Sequence, residues 1–216
     1  MRRACYTAIA NGYDELRNHP DIEDVDWVAY VTLPQQYESS NWDVRPLFGY
    51  GETDPRRQAK WYKVQSGLEM AEYDRTVWID GSVEIGKPQV LADILDVEAS
   101  FGLYRHTDRD CVYEEAGFSM GMRKYADEPI REQMNYYLDE YDHPQGGGLW
   151  WTGIIVRNRS AEVERIERAW WREIERWSVQ DQLSLPVVLR YLGEKAHTLP
   201  QRGYSSFKLH QQPFAS

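Results

Sequence analysis

Four stretches of this chain have residue types and spacings that could do chemistry. In the first, a short run of strand-forming residues, Thr76 to Ile79, ends in Asp80, and Gly81 and Ser82 follow at once. Ligands of open α/β sheets sit outside the carboxyl ends of the strands. A carboxylate there, beside a glycine that lets the backbone come close, suits a divalent metal gripping a phosphorylated ligand. Asp-Gly is equally a common hairpin dipeptide, so the segment by itself leaves a simple turn open. The second stretch carries Arg56, Lys60 and Lys63 at i, i+4 and i+7. Three cations on one helix face repel one another unless an anion such as a diphosphate lies there. A solvated face paired with nearby acids is the plainer reading of the stripe alone. The third is Asp181, three residues after Ser178. That spacing is the spacing of a capping box. An acid in the first turn of a helix is also kept ionised by the positive helix end and can take a proton from an attacking hydroxyl. Taken alone, capping is the simpler role. The fourth, His106 to Glu115, packs many ionisable groups into ten residues and reads as a pocket-lining loop or a charged surface turn. The chain has no His-Glu-x-x-His zinc helix, no Gly-x-Ser-x-Gly elbow, no Walker loop and no Gly-x-Gly-x-x-Gly fingerprint.

The elements that would hold these groups alternate between strand and helix. Arg3 to Ile9 reads as a first strand, Asp26 to Val31 as a second and Trp42 to Leu47 as a third. Asp54-Pro55 opens a helix, with Asp54 as N-cap, that would bury Trp61, Val64, Leu68 and Ala71 and expose the basic stripe. After the strand ending at Asp80 come a helix over Lys87–Val97, a strand over Phe101–His106 and a helix over Glu128–Tyr141. A glycine loop, Gly146 to Gly148, leads to a strong strand from Trp150 to Val156. Ser160 caps a long amphipathic helix with Val163, Ile166, Trp170, Ile174 and Trp177 inside, and Ser178 caps a last helix running up to Pro186. From about Ala196 the chain reads as a polar tail containing His197 and His210. This order predicts a single α/β domain over residues 1–216 with a mixed, mainly parallel central sheet.

With 216 residues, 42% hydrophobic and 28% charged, the chain can bury a real core and stay soluble. A net charge of −10 argues against nonspecific nucleic-acid binding. Two cysteines make no disulfide framework and no metal knuckle, and neither a signal-peptide h-region nor a run of 18 apolar residues is present. These features predict a cytoplasmic chain without a transmembrane segment. Nine tryptophans and 15 tyrosines could stack on sugars or bases, although core filling explains them more simply.

Taken in order, several motifs resemble one family. They are Cys5 to Ile9 with Gly12-Tyr13-Asp14, Gln58 to Lys63, Trp78 to Ser82, and Arg105-His106 with Arg109 to Ala116. Gly148-Leu149-Trp150 with Ile154 to Arg157, Trp170 to Ile174 and Asp181 to Ser184 complete the set. Together they cover roughly residues 5 to 190 and resemble the glycosyltransferase-like family of unknown function 616, which includes plant pollen-turgor and mucilage-related glycosyltransferases. The resemblance implies a GT-A fold and a hexosyl- or deoxyhexosyltransferase of polysaccharide biosynthesis. It would act on a nucleoside-diphosphate sugar and a carbohydrate acceptor, with Mn²⁺ or Mg²⁺. On that basis Tyr6, Thr7 and Ala8 would lie against the nucleotide, and Arg56 or Arg57 with Lys60 and Lys63 would face the diphosphate. Asp80, Gly81 and Ser82 would form the strand-end donor motif, with Asp80 and a late histidine, His210, on the metal. Asp181 would be the base of an inverting displacement or, in a retaining enzyme, would sit on the other face of the sugar. Trp150, Trp151 and Glu115 would meet the acceptor, and the tail, residues 196–216, would close the donor site. The Asp-x-Asp pattern common in that fold is incomplete here, because Ser82 stands at the third position. Two other readings stay open: a catalytically inactive sugar-nucleotide or glycan binding module, and a nucleotidyltransferase, for which Ala8 to Gly12 is a poor glycine loop.

Overall fold

The apolar run Arg3–Ile9 forms strand β1, whose alternate side chains enter two different cores because successive residues of a strand point to opposite faces. Ala4, Tyr6 and Ala8 enter one core; Cys5 and Ile9 enter the other. The computed structural model describes residues 1–37 and 41–210, apart from the side chain of Arg202. Beyond β1 it contains β2 (Val25–Val31), β3 (Asp43–Pro46), α1 (Pro55–Val64), α2 (Ser66–Glu69), β4 (Arg75–Ile79), β5 (Val83–Ile85) and α3 (Pro88–Leu95). There follow β6 (Phe101–Arg105), α4 (Val112–Met120), α5 (Ile130–Asp139), β7 (Trp150–Asn158), α6 (Ala161–Arg176), α7 (Asp181–Leu192), β8 (His197–Thr198) and β9 (Phe207–Leu209).

Seven strands make a central sheet in the order β3-β2-β1-β4-β7-β6-β8. β3, β2, β1 and β4 are parallel, β7 is antiparallel to both β4 and β6, and β8 is parallel to β6. The sheet is therefore mixed and largely parallel, as expected. One face is covered by α1, α6 and α7, with Tyr62, Val64, Ile166, Trp170, Ile174, Leu185 and Val188 packed on it. The other is covered by α3, β5 and Trp27, Trp42 and Tyr104. A third cluster joins α4, α5 and α7. Among the described residues no helix is long and apolar enough to cross a membrane. From β1 the chain goes to β2 on one side and later to β4 on the other, so the strand order reverses at the β1/β4 boundary. A crevice outside the carboxyl ends of strands forms at such a point.

Several expectations need correction. The first helix does not run on to Ala71: it ends at Val64, Gln65 leaves helical geometry, and Leu68 is 64% exposed. The break follows from Glu167 of α6, which accepts hydrogen bonds from Ser66 Oγ and, at 2.9 Å, from the Gly67 amide. Ser178 does not cap α7; its hydroxyl donates to Gln133 Oε1, and Gln180 takes the N-cap position without a side-chain cap. Nor does α7 stop at Pro186. It continues to Leu192, wedged between two cores by Leu185, Val188 and Leu189 on one side and Leu183 and Val187 on the other. That packing outweighs the hydrogen bond lost at proline. The supposed polar tail is also structured: β8 pairs with β6, Leu199 is fully buried, and β9 pairs antiparallel with β5. Residues 211–216 of that tail lie outside the described residues.

The aromatic packing has a consequence for acid stability. His19 stacks on Trp27 with ring centroids 5.0 Å apart, and burial lowers its pKa to about 4. His143 is buried as well, and burial likewise lowers it to about 4. Both are neutral in the folded protein yet take up a proton in the unfolded chain below about pH 6.5. Between pH 6.5 and 4 the unfolded state therefore binds more protons, and stability falls as pH falls. Each histidine accounts for roughly 3 kcal/mol across that window. Urea denaturation of wild type and His19→Phe at pH 7 and pH 4.5 should show the variant losing less stability on acidification; equal losses would contradict a neutral buried His19.

Candidate active site

Asp80 reaches the crevice because β4 ends at Ile79 and its next residue is tied to a neighbouring strand: the Asp80 amide donates to the Gly153 carbonyl of the β7 segment at 2.9 Å. The two readings of Asp80-Gly81 are compatible. Val83 N donates to Asp80 O at 2.8 Å, so the dipeptide makes the turn into β5 while delivering its carboxylate. Gly81 is needed for close approach, because a Cβ there would stand 2.8 Å from Asp14 Cβ. Trp78, two residues back on the same strand face, donates its indole N–H to Asp80 Oδ1 at 2.7 Å.

The basic stripe turns inward along its length, from half-buried Arg56 and Lys60 to fully buried Lys63. Lys63 is only 1% exposed and stands 3.0 Å from Asp80 Oδ1 and 2.7 Å from Asp181 Oδ2. It also donates to Thr152 Oγ1 at 3.3 Å, and the Thr152 hydroxyl donates to Asp181 Oδ2 at 3.0 Å. Lys60, one turn earlier and 22% exposed, donates to Asp181 Oδ1 at 2.8 Å. The base of α1 is fixed from beneath. The Lys63 carbonyl accepts from Arg157 at 2.6 Å and from the Tyr6 hydroxyl at 3.4 Å, and Arg157 is paired with buried Glu167 at 2.9 Å. Burial alone would raise the Asp181 pKa, but Lys60 and Lys63 override it and hold the carboxyl well below its usual range. Burial would lower Lys63, yet Asp181 and Asp80 raise it, whereas burial leaves Lys60 below the ordinary lysine value.

This network forms the floor between two clefts. A cleft of about 670 Å³ is lined by Ala8, Ala10, Tyr13, Asp14, Lys63 and Trp78, among others. A wider, more open one is lined by Ser82, Glu115, Trp151, Thr152, Asp181 and His210, among others. Lys60, Asp80, Lys124 and Tyr125 line both. Of the first-strand residues named from sequence, Ala8 lines the smaller cleft, while Tyr6 and Thr7 are buried beneath it. Arg56 lines that cleft but is paired with Asp54 and Glu128, both within 2.9 Å. Arg57 instead clasps the carbonyls of Ile174 and Trp177. The adjacent tryptophans point to opposite faces of β7. Trp151 lines the wider cleft, whereas Trp150 is buried in the core with Arg105 stacked 4.0 Å from its ring centre. Glu115 lines the wider cleft and is held by Arg109 at 2.6 Å and Gln180 at 2.9 Å. Sequence reasoning missed Thr152 and Lys124. Thr152 was readable only from strand register, and Lys124 lies in a short 3-10 turn, Arg123–Tyr125, that carries no pattern.

Among the described residues no group of three or more His, Cys, Asp or Glu side chains is gathered as a metal site. A hard cation that grips a diphosphate needs only one or two protein carboxylates. Asp80 meets that requirement through Oδ2, whose contact with Lys63 is a long 3.4 Å, while Oδ1 is occupied by Trp78 and Lys63. His210 comes back to the same turn, its amide donating to the Ser82 carbonyl at 2.8 Å, but its Nε2 lies 2.9 Å from Glu84 Oε2.

No curated protein matches the chain. Among solved structures, the apo structure of the WbbM bifunctional glycosyltransferase is similar at 12% identity and a TM-score of 0.49; the match covers 92% of this chain and 38% of that one. The chain thus spans well under half the length of that protein. A family model, the TOD1/MUCI70 glycosyltransferase-like domain, matches residues 49–202, which include α1, the Asp80 turn, the wider cleft's helices and Asp181. With well over half of its length so matched, this chain belongs to the TOD1/MUCI70 glycosyltransferase-like domain family.

Proposed function

We propose that this chain is a GT-A-type glycosyltransferase that moves a hexosyl or deoxyhexosyl group from a nucleoside-diphosphate sugar to a hydroxyl of a glycan acceptor, with inversion. The observation that carries this reading is the meeting of two carboxylates from distant segments, Asp80 and Asp181, on one buried ammonium, Lys63, between two adjoining clefts. In this reading residues 1–216 work as one domain. The smaller cleft takes the nucleotide against Ala8, Tyr13 and Tyr125, with the diphosphate toward Lys60 and Lys124. Asp80 would hold Mn²⁺ or Mg²⁺ against that diphosphate, with His210 as a second donor once it leaves Glu84. Such a cation, when bound, offsets charge on the departing nucleoside diphosphate. Asp181 takes the proton of the acceptor hydroxyl in the wider cleft, where Trp151 offers a stacking face and Glu115 a hydrogen-bond acceptor. β9 and His210 close the rim beside Ser82.

One feature favours the competing reading of an inactive sugar-nucleotide binding module: both Asp181 oxygens are taken by ammonium groups. Nucleotide release from a panel of UDP-, GDP- and dTDP-sugars, with Mn²⁺ or with chelator, separates the two. The transferase reading expects slow release from one donor, reduced about 100-fold or more by Asp80→Ala, in keeping with the several kcal/mol of charge stabilisation lost with the cation. Donor binding without release would establish the binding module, and absence of both across the panel would sink the donor assignment.

A further inference from the structure

Asp181 and the two lysines on it are unequal in a way the transferase reading leaves unexplained. Lys63 cannot leave: it is 1% exposed, touches Asp80, Asp181 and Thr152, and its own carbonyl is held by Arg157. Lys60 can. It is 22% exposed, its one hydrogen-bond partner among the described residues is Asp181 Oδ1, and it lines both clefts, whereas Asp181 lines only the wider one. Oδ2 is committed to Lys63 and the Thr152 hydroxyl, so Oδ1 is the atom on which an acceptor proton would land. That atom is covered by Lys60.

We infer that Lys60 is a positioning residue that masks Asp181 Oδ1 until a nucleoside diphosphate in the smaller cleft draws its ammonium away, so that the base is uncovered only in the donor complex. The inference rests on the donor assignment above. A diphosphate carries more negative charge than one carboxylate and offers several acceptor oxygens, so it competes well for a movable ammonium. The smaller cleft is lined by four cationic side chains, Arg56, Lys60, Lys63 and Lys124, and by two carboxylates, Asp14 and Asp80, a balance that suits an anion. Linkage makes the effect reciprocal: any ligand that favours the arrangement with the Lys60 ammonium drawn off Asp181 also tightens donor binding. The consequence for the reaction is an order of events. An acceptor that arrives first finds no base, and water in the wider cleft is not activated while the donor is absent.

The test uses UDP, GDP and dTDP as probes, titrated by calorimetry into protein carrying ¹³C at aspartate Cγ. One of the three should bind, and saturation should move the Asp181 ¹³Cγ resonance as Lys60 departs. In Lys60→Met the affinity should fall about 10- to 100-fold through loss of a charge-assisted contact. Its Asp181 resonance should start near the saturated wild-type position and move little on binding. Lys60→Arg should recover most of the affinity, which a merely structural role would not require. A nucleotide that binds without moving the Asp181 resonance overturns this inference and leaves the donor assignment standing. Equal affinity of wild type and Lys60→Met overturns it as well. Absence of binding by all three removes the donor assignment and this inference together. Should Lys60→Met fail to fold, the wild-type resonance alone decides.

Discussion

Asp181→Asn should lower turnover about 100- to 10,000-fold, the usual contribution of a positioned general base, while donor affinity changes far less. The substitution keeps the size of the side chain, and the backbone carbonyl that accepts from Trp170 at 3.1 Å is unaffected. What disappears is the negative charge and with it the ability to take a proton. The charge is present throughout the useful pH range, because Lys60 and Lys63 hold the folded pKa well below the ordinary carboxylate value. Ionisation of Asp181 therefore stabilises the fold at every pH above about 4, its unfolded value, and that stabilisation is lost only as pH falls toward the depressed folded value. The pH profile of kcat/KM, which reports the free enzyme, should accordingly show no acid limb from Asp181 between pH 5 and 8. The check is kcat and donor KM for the variant, with donor affinity measured separately. Activity retained within tenfold would reduce Asp181 to a structural counter-ion of the two lysines.

Much of the frame that holds these groups was legible from local pattern. β1 was read to the residue, and the Asp54 cap is real, its side chain accepting from the Arg56 amide. Ser160 likewise accepts from Val163 N, and Val163, Ile166, Trp170 and Ile174 face the core from α6. These features are set by neighbours a few residues away, so periodicity and capping chemistry find them. The errors share a different cause. Gln65 ends α1 because Glu167 draws Ser66 and Gly67 toward α6, a contact across a hundred residues. Lys63 reads as one more cation of an exposed stripe, and only the arrival of Asp80 and Asp181 makes a buried ammonium tolerable there. The choice between Trp150 and Trp151 depends on strand register, which a Trp-Trp pair does not reveal. Of the residues named for donor and acceptor, Tyr6, Thr7 and Trp150 lie buried, Arg57 clasps the carbonyls of Ile174 and Trp177, and the others line the two clefts. Which oxygen faces which ammonium is a property of the fold.

The same burial predicts a graded response to losing Lys63. Lys63→Met keeps most of the aliphatic volume and removes the charge, and it should destabilise the protein by about 3–5 kcal/mol, as breaking a buried ion pair from one side does. The loss should fall unequally on its two partners. Asp181 is 3% exposed and keeps only one cation, Lys60, with the neutral Thr152 hydroxyl, so its carboxylate stays poorly compensated. Asp80 is 32% exposed, and water can replace the lysine at its outer oxygen. A double-mutant cycle of Lys63→Met with Asp181→Asn should therefore give a coupling energy of about 1.5–3 kcal/mol. The cycle with Asp80→Asn should give no more than about 1 kcal/mol, the range of a hydrated pair. Midpoints of urea unfolding at pH 7 measure both. Equal couplings would mean that water reaches Asp181 as freely as it reaches Asp80, and Lys60 would then have no buried oxygen to mask.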